Sequence, residues 1–179
     1  MADELTMPRL VADGFVLRAF ESDDAPLVRE ASADPFIPLI STVPVNGSAE
    51  EIRAFIQRQH GRAATGAGYS FAIAEHDTNR AVGQIGLWRD NLRHGRASIG
   101  YWIVASQRRR GIAGSALRAI TEWGLSLPEV ARLELYIEPW NTGSWRTAEG
   151  AGYEREGLLR GWQEVDGERR DMFMYARLS

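Results

Sequence analysis

The chain has 179 residues, 44% hydrophobic and 25% charged, with a formal net charge of −3; this composition predicts one globular domain over residues 1–179, large enough to bury a substantial core. It contains no cysteine, which excludes disulfides, thiolate metal sites and thiol nucleophiles, and its three histidines (His60, His76, His94) show no ligand spacing, so no metal is expected. The acidic balance argues against a nucleic-acid binder, no apolar run is long enough to cross a bilayer, and the acidic opening MADELTMPRL is unlike a basic signal sequence; a cytoplasmic address with no membrane partner is expected.

In chain order, residues 14–20 (GFVLRAF) read as a first strand, after which Ser22 or Asp23 caps a short helix ending near Ser32, with Pro26 in its first turn. The apolar segment Phe36-Ile37-Pro38-Leu39-Ile40 is too broken by proline for a long helix. Ser48-Ala49-Glu50-Glu51 is a capping box that starts a helix reaching about Arg62. A meander of three strands follows at 69–75, 81–89 and 96–104, separated by polar turns. A helix from Gly111 to about Leu127 carries Ile112, Ala116, Ile120, Trp123 and Leu127 on one face and stops at Pro128. Residues 132–138 alternate as a strand, 141–151 read as a helix, and 154–165 with 168–178 form a hairpin turned at Asp166-Gly167. The expected fold is α/β, in the order βααβββαβαββ, with a mixed, mostly antiparallel sheet covered by helices.

The stretch YWIVASQRRRGIAGSAL, residues 101–117, joins a buried strand to a helix through a short loop. The first turn of a helix offers N–H groups without partners and a positive dipole end, so it receives phosphate readily. Gly111, Ala113 and Gly114 keep side chains clear of those amides. A solvated basic turn or a nucleic-acid contact is the other reading of Arg108-Arg109-Arg110.

The spacing Arg108-x-x-Gly111-x-Ala113 resembles the pyrophosphate-binding signature of the GNAT acyltransferase superfamily. Gly100-Tyr101-Trp102-Ile103, Asn141-x-x-Ser144 and Gly152-Tyr153-x-x-x-Gly157-Leu158-Leu159-Arg160 resemble its RimJ/RimL-like branch, the ribosomal-protein N-terminal acetyltransferases, and the element order is that superfamily's own. The resemblance covers almost the whole chain. It implies acetyl-CoA as acyl donor, held by Ile103, Val104, Arg108, Arg109, Arg110, Gly111, Ile112, Ala113, Gly114, Asn141 and Ser144. It also implies that the strands at 99–104 and 132–138 splay apart around the pantetheine arm, with an N–H of Ile103 or Val104 polarising the thioester carbonyl. One such donor is worth about 3 kcal/mol in acyl transfer.

Asn141 serves as a partner for the pantetheine amides, as an N-cap for the following helix, or as both. Many superfamily members place a tyrosine seven residues after this asparagine to reprotonate the thiolate. Here that position is Ala148, and Ser144 is the nearby hydroxyl. A thiolate with a pKa near the roughly 8.5 of a cysteine thiol can also leave unassisted, so Ser144 either protonates the sulfur or only hydrogen-bonds it. Glu138 is the first candidate for the base, with Glu164 and Asp171 in reserve. Phe36, Ile37, Trp88, Trp140 and Trp162, with Trp145 nearby, are candidates to line the acceptor pocket.

An α-amine (pKa about 7.7–8.0) is roughly a tenth neutral at pH 7 and a lysine only about 0.04%, so an N-terminal amine needs little help from a base. The expected reaction is direct attack of a primary amine, foremost a protein or peptide N-terminus, on acetyl-CoA, by a monomer or homodimer. The alternatives are a small amine (antibiotic or polyamine), a protein lysine, or a longer donor such as succinyl-CoA read by Arg89, Arg93 or Arg96. A CoA-binding module without catalysis is the alternative from another class.

Overall fold

The computed structural model describes residues 5–179. Its eight strands form one sheet in the spatial order β1-β2-β3-β4-β5-β6-β8-β7. The strands are β1 (Leu10–Ala12), β2 (Phe15–Arg18), β3 (Gly68–Glu75), β4 (Ala81–Trp88), β5 (Arg96–Ile103), β6 (Arg132–Ile137), β7 (Glu154–Val165) and β8 (Glu168–Leu178). The helices are α1 (Ala25–Ser32), α2 (Ile37–Ile40), α3 (Ala49–Ala64), α4 (Ile112–Ser126) and α5 (Thr142–Gly150). Every pairing is antiparallel except β5 with β6, which α4 joins as a crossover.

The expected order holds with two additions, the strand β1 and the one-turn helix α2. The first strand is a hairpin, β1–β2, turned at Asp13-Gly14 with Gly14 at φ +73°. The same Asp-Gly signal turns β7 into β8, where Asp166 and Gly167 both take positive φ. A strand of only three residues is too short to show alternation, which is why β1 escaped the pattern. The cap of the first helical segment also differs: a 3-10 turn over Ser22–Asp24 precedes α1, and Asp24 accepts from the Glu21 backbone N–H at 2.8 Å. The Ser48–Glu51 box forms as read, and α3 runs on to Ala64.

Side chains alternate across the sheet, so its two faces carry separate cores. Ile85, Leu87, Ile99, Ile103, Leu133, Leu135 and Ile137 pack with Ile112, Ala116, Leu117 and Ile120 of α4. On the other face Ala72, Trp102 and Val104 pack with Leu27, Val28, Ile52, Phe55 and Ile56 of α1 and α3. Ile37, expected in the acceptor pocket, belongs to this second core and is 1% exposed. Its one-turn helix points the isoleucine inward while Phe36 and Ile40 face the cleft described below.

Asp34 ties the segment after α1 to the end of β5. Its carboxylate accepts from the N–H groups of Phe36 (2.9 Å) and Ile37 (3.0 Å) and from Arg108 (2.6 Å). Burial alone would push this carboxyl up, but those backbone donors and the guanidinium together hold it below its ordinary 3.8. A depressed carboxylate stabilises the fold above its unfolded pKa and loses that contribution as pH falls through the folded value. Asp34→Asn is therefore expected to cost about 1 kcal/mol at pH 7, the pair being partly solvent-screened. The difference from wild type should shrink below about pH 4, as read by chemical denaturation at both pH values.

Candidate active site

β5 and β6 pair over only three registered positions, Arg96 with Arg132, Ala97 with Leu133 and Ser98 with Glu134. Beyond Ser98 the two strands part. The gap opens into a cleft of about 400 Å³ lined from β5 by Ile99, Gly100, Tyr101 and Trp102 and from β6 by Leu135, Tyr136 and Ile137, with Glu138 just beyond.

Which backbone groups enter the gap follows from the pairing on the other side. Val104 donates its N–H to Val82 O at 3.2 Å. Antiparallel alternation then turns the even-numbered residues of β5 toward β4, and the N–H groups of Tyr101 and Ile103 toward the gap. Val104 was one of two expected carbonyl-polarising donors; its N–H is committed to the sheet, and Ile103 is the donor that remains. The Ile103 carbonyl accepts from Arg108 Nε at 2.9 Å.

That bond changes the reading of the arginines. Arg108 spends its guanidinium on Ile103 O and Asp34, so it braces the loop instead of reaching out for an anion. Arg110 is engaged by Glu75 (3.4 Å) and Gln107. Arg109 is exposed at φ +61° and, among the described residues, has no ion-pair partner. Gly111 is the N-cap of α4 at φ +75°, a conformation that suits glycine, and a Cβ there would meet nothing within 4 Å. Its carbonyl takes the Ser115 N–H, and Ile112, Ala113 and Gly114 form the first turn, whose N–H groups have no partners within the helix. The Ile112 side chain is buried in the core, so only its backbone faces the loop.

Asn141 follows β6 and caps α5, its Oδ1 accepting from Ser144 N at 3.2 Å. It also lines the cleft, so both expected uses of the side chain are compatible with its position. Ser144 Oγ lies 2.8 Å from the Tyr101 hydroxyl. Burial pushes the Tyr101 phenol above its usual 10, so it carries its proton at neutral pH. Tyr101 was not singled out as a site residue, because its partner lies 43 positions away in the chain. Ala148, the position that lacks a tyrosine, is fully buried one turn further along α5.

Glu138 sits on the opposite face of the gap from Ser144. On β6 the odd-numbered leucines and isoleucine pack toward α4, so Glu134, Tyr136 and Glu138 face the other way. Glu138 is 8% exposed; its Oε2 accepts from Trp140 Nε1 at 2.8 Å, and its Oε1 has no hydrogen-bond partner among the described residues. An orphaned buried carboxylate oxygen beside a cleft is costly unless something else fills the position. The reserve carboxylates lie outside the cleft lining. Asp171 accepts from Gly161 N–H at 2.7 Å, closing a bulge in β7, and Glu164 is exposed opposite Arg169.

The aromatics divide as well. Trp88 lines the cleft. Trp140 packs edge-on to Phe36 with ring centroids 4.9 Å apart, placing both beside Glu138. Trp162 stacks on Tyr136 at 5.6 Å and stands at the rim, while Trp145 packs against the α4-side core. Arg89 and Arg96, expected as possible carboxylate readers, are paired with Glu129 and Glu134, and Arg93 contacts His94. Gln84, Arg62, Gln163 and Met172 line the cleft without having been anticipated. Among the described residues no cluster of His, Cys, Asp and Glu could hold a metal, and no helix is long and apolar enough to cross a membrane.

Comparison with known proteins places this geometry. Residues 15–154 match the family model of the acetyltransferase (GNAT) domain. The chain belongs to the GNAT acetyltransferase family. It is 26% identical over 172 residues to the uncharacterised N-acetyltransferase p20 of Bacillus licheniformis, covering 96% of this chain and 97% of that one. The structure resembles Mycobacterium smegmatis RimJ in complex with CoA-disulfide (TM-score 0.78, 25% identity, 96% of this chain and 86% of that one). It also resembles RimL, the ribosomal L7/L12 α-N-protein acetyltransferase, in complex with coenzyme A (TM-score 0.79, 22% identity, 96% and 98%). The chain is thus an acyl-CoA-dependent GNAT N-acyltransferase whose fold resembles those of RimJ and RimL.

Gly111→Glu is expected to abolish binding of acetyl-CoA in calorimetry, by putting a carboxylate where a diphosphate would lie on α4. Gly111→Ala, which carries the same backbone strain of about 1 kcal/mol without the charge, should retain it.

Proposed function

We propose that the chain transfers the acetyl group of acetyl-CoA to the free α-amine of a peptide or protein N-terminus. The carrying observation is the gap between β5 and β6, with free N–H groups in its wall, Glu138 on one face and the Tyr101–Ser144 pair on the other.

In this reading the first turn of α4 holds the diphosphate, and the parted edge of β5 takes the pantetheine arm as an added strand. The acetyl thioester supplies an activated acyl group. The Ile103 N–H stabilises the charge that develops on its carbonyl oxygen. Glu138 Oε1 takes the proton of the attacking amine, directly or through one water. On the far face Ser144 turns its hydroxyl proton to the departing sulfur while Tyr101 donates to Ser144 Oγ. The incoming and outgoing groups thus meet separate proton handlers.

The acceptor follows from what the cleft lacks. Glu138 is its only carboxylate among the described lining residues. A polyamine or aminoglycoside carries several ammonium groups, and one carboxylate answers only one of them. An α-amine is already about a tenth neutral at pH 7, so a single base suffices. RimL, by its description an α-N-protein acetyltransferase, supports the same choice.

Release of free thiol from acetyl-CoA, measured across free N-terminal peptides, N-blocked lysine peptides and polyamines, tests this reading. The highest kcat/KM is expected on free N-termini; a higher value on lysine or a polyamine would reject it. Ser144→Ala should lower kcat with little change in acetyl-CoA Kd. Glu138→Gln should lower it by about a hundredfold or more. Wild-type kcat in either variant removes that residue from the mechanism.

A further inference from the structure

The floor of the cleft on the α3 side has been cleared for one side chain. Gly86 of β4 and Gly100 of β5 are register partners. A Cβ on Gly86 would come within 2.3 Å of the Trp88 indole, and Gly100 lies under the same ring, its would-be Cβ 3.6 Å from Nε1. The indole therefore lies flat across two strands, on backbone. Over this ring sits the Arg62 guanidinium, its carbon 4.6 Å from the ring centroid.

Arg62 is the only cation lining the cleft among the described residues. Its Nε donates to Gln59 Oε1 at 3.1 Å, which fixes the fork, and among the described residues it forms no salt bridge. Gln59 is itself locked by Ser70 (3.0 Å) and Gln84 (3.2 Å), and Gln84 in turn accepts from Trp102 Nε1 at 2.7 Å. Burial and Arg58 both disfavour the charge on Arg62, and Asp90 favours it without forming a salt bridge. A guanidinium held rigid in a cleft, stacked and with no salt-bridge partner among the described residues, is a preformed half of a bidentate carboxylate site.

Resting on the acceptor reading above, we propose that Arg62 binds an acidic side chain of the acceptor peptide, making the enzyme selective for N-termini with Asp or Glu close behind the reacting amine. The distance fits. The Trp88 backbone pairs with Ser98, but its ring reaches back over the Gly86–Gly100 level. Carried on from Ser98 and Glu134, the register puts that level two residues before Glu138 and one strand across; the offset from the ring is on the order of 10 Å, the reach of two to three extended residues. An amine at Glu138 thus puts the second or third residue of the acceptor under Arg62. The two charges of the cleft are arranged as the complement of an acidic N-terminus, with the carboxylate where the amine reacts and the guanidinium further in.

The test compares C-terminally amidated peptides that carry Asp at positions 2 and 3 with their Asn counterparts and with Lys counterparts, using wild type, Arg62→Gln and Arg62→Glu. A tripeptide acid with neutral side chains separates a side-chain carboxylate from a chain-end one. Wild type should favour the Asp peptide over the Asn peptide by about tenfold in kcat/KM, carried by KM and weakened by salt. Arg62→Gln should bring that ratio close to one, and Arg62→Glu should favour the Lys peptide. Retained acetyl-CoA affinity shows that the variants are folded. Equal turnover of Asp and Asn peptides by wild type, an unchanged ratio in Arg62→Gln, or preference for the tripeptide acid alone would overturn the inference while leaving N-terminal transfer in place. Turnover of lysine or polyamine but of no free N-terminus would overturn both.

Discussion

The structure depends on the point where β5 and β6 stop pairing. A parallel ladder that ran its full length would close the sheet and leave no site. Lost ladder bonds are expensive unless the freed groups find other partners. Here the Ile103 carbonyl is taken by Arg108, which Asp34 anchors from the other side of the chain. The Tyr101 side chain is held by Ser144 on α5. The N–H groups of Tyr101 and Ile103 and the Tyr101 carbonyl face the gap, and a donor strand with amide groups of its own would satisfy them.

The two-residue period of a strand then sorts the chemistry. Even-numbered positions of β4 and β5 bring Gln84, Gly86, Trp88, Gly100 and Trp102 to the α3 face, and β6 brings Tyr136 and Glu138 to the same side. On the α4 face Tyr101 meets Ser144, with the first turn of α4 nearby in the chain. In the proposed reaction a donor entering from one face and an acceptor from the other would meet in the gap without competing for room. In the proposed mechanism Tyr101, hydrogen-bonded to Ser144, stands in for the phenol missing from α5 at Ala148.

What could be read from the sequence was whatever is encoded locally. The capping box at Ser48–Glu51, the Asp166-Gly167 turn, the stop at Pro128 and the strand-loop-helix around Gly111 need only neighbours within a few positions, and all form as read. The Asp13-Gly14 turn carries the same signal, but the strand before it is too short to reveal itself. The fates of the arginines were not legible, because Arg108 finds Asp34 across 74 positions and Arg62 finds Trp88 only once α3 packs on the sheet. Ile37 was misplaced because an apolar residue in a candidate loop reads alike whether it faces the cleft or the core, and the Val104 N–H because only the strand register decides which amides face a neighbour.

The most direct measurement is hydrogen exchange of the individual β5 amides, followed by NMR with and without acetyl-CoA. The Tyr101 and Ile103 amides should exchange readily in the free protein and become protected when acetyl-CoA binds, while Val104, already bonded to Val82, changes little. Binding seen by calorimetry with no added protection at Tyr101 or Ile103 would contradict a carrier lying in the gap between β5 and β6.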